Sequence, residues 1–479
     1  MARARTLVAA TTLAVVLAGP SPVGVPQVGA GTPRLETPPP QVHPSPRRVD
    51  AGLPELVPAA LPPAAAGLEP GAVNRTSLDL DATYRATLKL TWAARAIWVD
   101  STATIRNTSG GPIDRVELNT IAARLGGIRL RPVTVDGVAV TATISDQTVV
   151  VPLGGVLAVG ATTRIRIRFS ARLRDDLAGS DWLFSRVDGI ADIYRWLPWV
   201  SRRIAFDRPN HGDPFETPLS SSVRVAIVTD RGLVLATSGD RVTASPDGLT
   251  QVFEARDVRD FTVSAAIDYR TLSRRVGSTT VRAWYRPGAN GAALLDAAAD
   301  AFAALQARLG PYGRNTFEAV QSAGGFGMES PGLIWIPDLA SVNLRYQVAH
   351  ETAHQWFYGI VGNDQATQPF ADEAAADFVA RSVMGLRRAS RCPTARLDLS
   401  IYDYSARCYF ETVYIQGGNL LDTARRRMGS TAFWAALRGY VAAHRGGLSS
   451  TRALLQALDD ATPLDLGSTL FAARFPRLY

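Results

Sequence analysis

The chain has 479 residues, a formal net charge of +8 and 46% hydrophobic residues. That is length and apolar content enough for two or three domains with real cores. Its basic residues are arginines except Lys89, and they are scattered, so no dense basic face or binding motif supports a nucleic-acid partner.

Arg3 and Arg5 precede an apolar run from Leu7 to Ala18 that Gly19 and Pro20 end. The run is too short for an ordinary membrane span and has the form of a secretory signal peptide. Cleavage after Ala18 or after Ala30 suits the small residues at both places, so residues 1–30 read as the leader. The protein is then expected to be secreted or extracytoplasmic, with no stable span after cleavage; an uncleaved N-terminal anchor is the alternative. Residues 31–72 are rich in proline and alanine and poor in large apolar side chains, which predicts a linker.

From residue 73 to 271 the texture is short alternating runs. Thr163 to Phe169 alternates arginine with apolar residues, as a strand with one wet face does. Val133-Thr134-Val135 and Val138-Ala139-Val140 flank Asp136-Gly137, a two-residue hairpin turn. Ser222 to Val228 and Phe261 to Ile267 are further strands. An antiparallel β-domain, a sandwich or a curved saddle, is predicted. From 272 to 479 the period changes. Thr279 to Tyr285 is a strand. Leu294, Leu295, Ala298, Phe302, Leu305 and Leu309 then fall at helical spacing, and Gly310-Pro311 stops the helix. Short strands at Phe317 to Gln321 and Leu333 to Ile336 precede a mainly helical remainder, making the chain α+β and multidomain. Cys392 and Cys408 are the two cysteines. In an oxidising compartment they predict one short-loop disulfide, with two buried thiols as the alternative.

The chemistry concentrates in Val348-Ala349-His350-Glu351-Thr352-Ala353-His354. On a helix His350 and His354 lie one turn apart and point the same way, so both imidazoles can reach one metal ion. Glu351, one residue round from His350, sits beside the open coordination position, where a general base for an activated water belongs. Between His354 and Glu373 lie 18 residues. That length predicts a first helix ending near Gly359, a loop from Gly362 to Gln368, and a second, antiparallel helix presenting Glu373. Two histidines and a glutamate leave a position open, as in catalytic zinc sites. Asp377, four residues after Glu373, is placed to accept a hydrogen bond from a ligand histidine. His43, His211 and His444 lack such context.

These motifs and about 200 residues around them resemble the gluzincin peptidases related to aminopeptidase N and leukotriene A hydrolase. The resemblance rests most on His350-Glu351-Thr352-Ala353-His354-Gln355-Trp356-Phe357-Tyr358-Gly359. Gly324-Gly325-Phe326-Gly327-Met328-Glu329-Ser330 is similar to the family's Gly-Ala-Met-Glu-Asn segment, which implies that Gly327, Met328 and Glu329 bind substrate and that Glu329 takes a peptide's free α-amine. Val413-Tyr414-Ile415-Gln416-Gly417-Gly418 resembles the family's Tyr-x-x-Gly helix start, which singles out Tyr414, above Tyr402, Tyr404 and Tyr409, as the oxyanion stabiliser. More weakly, Trp196-Leu197-Pro198 is similar to the family's N-terminal domain. The resemblance implies a β-saddle followed by a thermolysin-like zincin domain, one zinc ion, and peptides as substrates.

The departures are Ser330 for the usual asparagine, Phe326 inserted before Gly327, Asp372 where asparagine is common, and Ala380 where the family often has an acid. The family's large C-terminal helical domain has no counterpart in this sequence. An aminopeptidase is the leading expectation. An open-cleft endo- or oligopeptidase and a non-catalytic secreted binding module are the rivals. Oligomeric state is not readable.

Overall fold

The computed structural model describes residues 34–35, 67–385 and 388–479. The expected leader, residues 1–30, and most of the expected linker, residues 31–72, lie outside the described residues. The N-terminal half is built on a nine-stranded sheet whose long central strands are Leu80–Thr91, Ala96–Asn107 and Thr162–Arg172. The alternation in the last of these sends Ile165, Ile167 and Phe169 into the core and leaves Arg164, Arg166 and Arg168 towards solvent. Asp136 and Gly137 both take positive φ, 49° and 88°, and close the hairpin between Val133–Val135 and Val138–Val140.

Two four-stranded sheets complete this half, and one apolar cluster, including Ile105, Val116, Phe184, Tyr194 and Trp196, draws on all three sheets. The domain is not purely antiparallel: Val223–Thr229 pairs parallel to Leu80–Thr91. Strand Val223–Thr229 returns after a long excursion, not through a hairpin, so it can enter in the same direction as its partner. An alternating sequence reads the same in either orientation, so the pattern could not show this.

The C-terminal half carries a six-stranded sheet in the order Arg34–Leu35, Arg270–Val276, Thr279–Tyr285, Thr316–Gln321, Leu333–Ile336 and Met328–Ser330. Helix Gly291–Leu309 lies against it through Leu294, Ala298, Phe302 and Leu305; Asn290 caps its start, and Gly310, with φ 98°, ends it. Phe302 stacks at 5.4 Å on Phe317 of the sheet and lies 5.8 Å from Trp356, just past the second histidine. The sheet therefore ends, at Met328–Ser330, on an edge strand beside the histidine helix. Among the described residues no helix is long and apolar enough to cross a membrane.

Candidate metal centre

Helix Leu344–Ala353 carries His350 and Glu351, and His354 occupies its last, capping position. This helix is shorter than expected: it stops at His354 and does not run on to Gly359. Past it the chain widens, with Gly359 N–H donating to His354 O and Ile360 N–H to Gln355 O. Tyr358 sits at φ 117° and donates its hydroxyl to Asp260, while Arg195 donates to the Tyr358 oxygen at 2.6 Å. These partners come from the N-terminal half, so a long-range pull ends the helix. Helical pattern alone carries no trace of it.

The three candidate donors converge. His350 Nε2 lies 3.2 Å from His354 Nε2 and 3.2 Å from a Glu373 oxygen, and His354 Nε2 is 3.5 Å from the same oxygen. Zinc bonds of about 2.0–2.1 Å at tetrahedral angles put donor atoms about 3.3 Å apart, so this triangle fits zinc. Glu373 opens helix Glu373–Met384 and is 3% exposed; its shared oxygen has no hydrogen-bond donor. A buried carboxylate oxygen facing two imidazole nitrogens, without a hydrogen-bond donor among the described residues, suits a cation.

The partner of the ligand histidine is Asp372, not Asp377. His354 Nδ1 is 2.8 Å from Asp372 Oδ1 and 3.1 Å from Phe357 O, which makes Nδ1 the protonated nitrogen and leaves Nε2 free to ligate. Burial disfavours a charged His354, but the Asp372 carboxylate outweighs it and holds the ring's pKa well above the usual value, so a metal ion ligated at Nε2 would take the place of a proton there. Asp377 instead accepts from the Tyr346 hydroxyl and from Arg381 at 2.8 Å. Helix Glu373–Met384 begins at Glu373, and its first turns face different neighbours: Glu373 meets the histidines, while Asp377, one turn on, meets Tyr346 and Arg381. The other ring nitrogen of His350, Nδ1, has no partner among the described residues.

Sequence reasoning also missed Gln365. Its amide donates to Asp372 at 2.7 Å and to Glu329 at 2.9 Å, tying the histidine's partner to edge strand Met328–Ser330. A lone loop glutamine carries no periodic or spacing signal. Gln355, directly after His354, donates to Ser330 O at 3.0 Å and accepts from Gly332 N–H at 2.8 Å. The histidine turn is thereby bolted to edge strand Met328–Ser330. Ser330, the residue in place of asparagine, donates to Asp260, which also takes the Tyr358 hydroxyl.

Glu329 and Glu351 each bring an oxygen within 4.8 Å of a His354 nitrogen. Glu351 is 6% exposed, and burial is the main cause holding its carboxyl well above the ordinary range. A side chain at Gly327 would put Cβ 2.2 Å from the Glu351 carboxylate, so glycine lets the segment pass over Glu351 without displacing it. Burial likewise pushes Glu329 up to about 7. Asp213, from a loop of the N-terminal half, adds another buried carboxyl; its Oδ1 has no partner, and Glu329 and Glu373 are its strongest charged neighbours. Asp213 was not foreseen.

Tyr414 lies on a π-helical stretch, Phe410–Gln416, an irregularity frequent at functional sites. Its ring stacks on His350 with centroids 5.3 Å apart at 23°. Burial, with Glu373 beside it, keeps its phenol well above the ordinary pKa and hence protonated. Tyr409, one turn earlier, points a buried hydroxyl without partner towards the same carboxylates. Cys392 and Cys408 are joined as a disulfide. His211 packs 4.8 Å from Phe326, and His444 against Tyr440, both away from the donor triangle; His43 lies outside the described residues.

Just ahead of the glycine-rich segment, Asp192 accepts from Ser264 Oγ and from Ala323 N–H, both at 2.9 Å. Burial pushes the folded-state carboxyl up to about 7, above the unfolded value of about 3.9. The folded chain thus keeps a proton that the unfolded chain has lost. That contribution to stability is complete below about pH 4 and disappears as pH rises through about 7, with a slope of up to about 1.4 kcal/mol per pH unit. Denaturant titrations from pH 4 to 8 should show a steeper decline for the wild type than for Asp192→Ala; parallel curves would refute the assignment.

No protein-family model matches the chain. Among curated proteins it is 25% identical to aminopeptidase 2 of Candida albicans over 396 residues, 71% of this chain and 42% of that protein. The chain thus spans under half the length of that relative. Among solved structures it superposes on an M1 zinc metallopeptidase from Deinococcus radiodurans with a TM-score of 0.65 at 20% identity, covering 83% of this chain and 95% of that one. It has the fold of the M1 zinc metallopeptidases. A variant of the Deinococcus protein bound to a Tyr-Ser-Ala substrate matches with a TM-score of 0.64 at 19% identity, covering 83% of this chain and 95% of that one. A two-domain M1 zinc metallopeptidase bound to L-arginine matches at 0.63 and 20% identity, covering 82% and 93%. The M1 fold accounts for the arrangement described: a β-domain followed by a helical domain whose sheet edge faces the histidine helix.

Proposed function

We propose that the chain is a zinc-dependent peptidase that removes residues from the amino ends of peptides. The observation that carries this is Glu329: a buried carboxylate on a sheet-edge strand, beside both the metal donors and Glu351. His350, His354 and Glu373 would hold the zinc ion. When bound, it supplies a Lewis acid that acidifies a water and polarises the scissile carbonyl.

The chain's own residues do the rest. Met328–Ser330 pairs within the sheet with Leu333–Ile336, and its other edge is available for a peptide added as a further strand. The peptide's α-ammonium meets Glu329 and Asp213, whose clustered negative charge it offsets, and the first peptide bond then lies at the metal donors. Glu351 takes the proton from the attacking water and returns it to the leaving amine. The Tyr414 hydroxyl donates to the developing oxyanion.

A peptide and its N-acetylated form separate this reading from an endopeptidase. Acetylation removes the charge Glu329 would bind and should lower kcat/KM by about 10- to 100-fold, the equivalent of one or two charge-assisted hydrogen bonds. Equal cleavage of both would reject amino-end trimming. Persistence of all activity after exhaustive chelation would reject the metal.

A further inference from the structure

Two aromatic contacts from His350 stands a cation that this mechanism does not use. Arg388 holds its guanidinium 4.8 Å over the Tyr346 ring and 5.9 Å from the Phe410 ring. Both rings touch the site: Tyr346 lies 6.1 Å from the His350 ring, and Phe410 lies 4.9 Å from Tyr414, which itself stacks on His350. Arg388, Tyr346, His350, Tyr414 and Phe410 thus form a closed ring of contacts beside the metal donors.

Among the described residues no carboxylate is recorded within ion-pair distance of Arg388, whereas Arg381 on the preceding helix is neutralised by Asp377 at 2.8 Å. The backbone carrying Arg388 is pinned. Asn419 donates to Arg388 O at 3.0 Å, and Gln416 donates to Ser390 Oγ and to Cys392 O, both at 2.9 Å. Glu411 accepts from Arg391 N–H at 2.5 Å, and the Cys392–Cys408 disulfide ties the same stretch to the turn before Tyr414. A half-buried arginine on aromatic faces, without an ion-pair partner among the described residues and with its backbone anchored, is a pre-organised carboxylate receptor.

We propose that Arg388 binds the C-terminal carboxylate of short peptides, so that the site prefers di- and tripeptides with a free carboxyl end. The inference rests on the peptidase reading above. With legs of 4.8 and 6.1 Å through Tyr346, the guanidinium carbon is at most about 11 Å from the His350 ring. A peptide spans about 3.3–3.6 Å per residue, so a carboxylate one or two residues past the scissile bond lies about 4–7 Å from it. That leaves about 4 Å for a guanidinium–carboxylate pair. A longer peptide would carry its carboxylate past Arg388. Glu329 lies by His354, Glu351 and Gln365, while Arg388 is joined to His350 and Tyr414 through the rings of Tyr346 and Phe410.

The test uses the zinc-loaded enzyme with the tripeptide Ala-Ala-Ala, its C-terminal amide and Ala-Ala-Ala-Ala-Ala-Ala. The wild type should favour the free tripeptide over its amide by about 10- to 100-fold in kcat/KM, chiefly through KM, and over the hexapeptide by a similar factor. In Arg388→Gln the acid-to-amide ratio should collapse towards one, and Arg388→Lys should restore part of it. A wild-type ratio near one overturns the proposal while leaving the peptidase reading intact, as does an Arg388→Gln variant that loses acid and amide turnover equally. Failure of the wild type to cleave any of the three overturns both. Should Arg388→Gln fold poorly, competitive inhibition of the wild type by Ala-Ala against Ala-Ala amide reads the same preference; equal inhibition overturns the proposal.

Discussion

Replacing Glu351 with glutamine is expected to reduce kcat by at least about 10³-fold while leaving one zinc ion per chain. Positioned general acid–base groups contribute about 10²–10⁴-fold, and here one carboxylate both receives and returns the proton. The variant is nearly isosteric, so the tight passage of Gly327 over this side chain survives. Glu351 is outside the donor triangle of His350, His354 and Glu373, so metal content should not change. Turnover with metal analysis on the same preparation is the check. A variant retaining more than about a tenth of wild-type kcat would show that Glu351 is not the base, whereas loss of zinc would make it a structural support of the centre.

Replacing Asp372 with alanine is expected to weaken zinc binding by about 10- to 100-fold, measured by competition with a chelator of known affinity. Asp372 fixes which nitrogen of His354 carries the proton and so presents the other to the metal. Its second oxygen accepts from Gln365, which also holds Glu329, so the same substitution should raise KM for free-amine peptides. Asp372→Asn keeps an acceptor for His354 and should recover much of the affinity. Unchanged zinc affinity in the alanine variant would remove Asp372 from the metal's support, and an asparagine variant as weak as alanine would show that its charge matters beyond its hydrogen bond.

Much of the centre was legible because its spacing is local. His350 and His354 sit a turn apart on one helix, so any helix here brings them together, and Glu351 follows from the same geometry. The hairpin at Asp136-Gly137 and the helix ending at Gly310 were legible for a similar reason: each depends on the φ its own residues favour. Glu329 and Tyr414 were found through resemblance, since neither an acid in a glycine-rich segment nor a tyrosine before two glycines announces a role by pattern.

Contacts made across the fold were not legible. Asp372 and Asp377 are both acids near Glu373, and helical spacing favours Asp377. The structure gives His354 to Asp372 because that side chain stands just before the helix, where the histidine turn passes. Gln365 and Asp213 reach the site from loops that only packing brings close, and Arg388 meets the rings of Tyr346 and Phe410 only across the fold.

By itself, then, the sequence singled out the candidate donors, the candidate base and the change from strands to helices, through periods of two or four residues, the 18-residue separation of His354 and Glu373, and local backbone preference. Tertiary structure alone decided where the histidine helix stops, which acid meets His354, and which loop residues gather beside Glu329. Those outcomes depend on residues such as Arg195 and Asp260, more than 90 positions from the Tyr358 they hold, and no short-range pattern records that encounter.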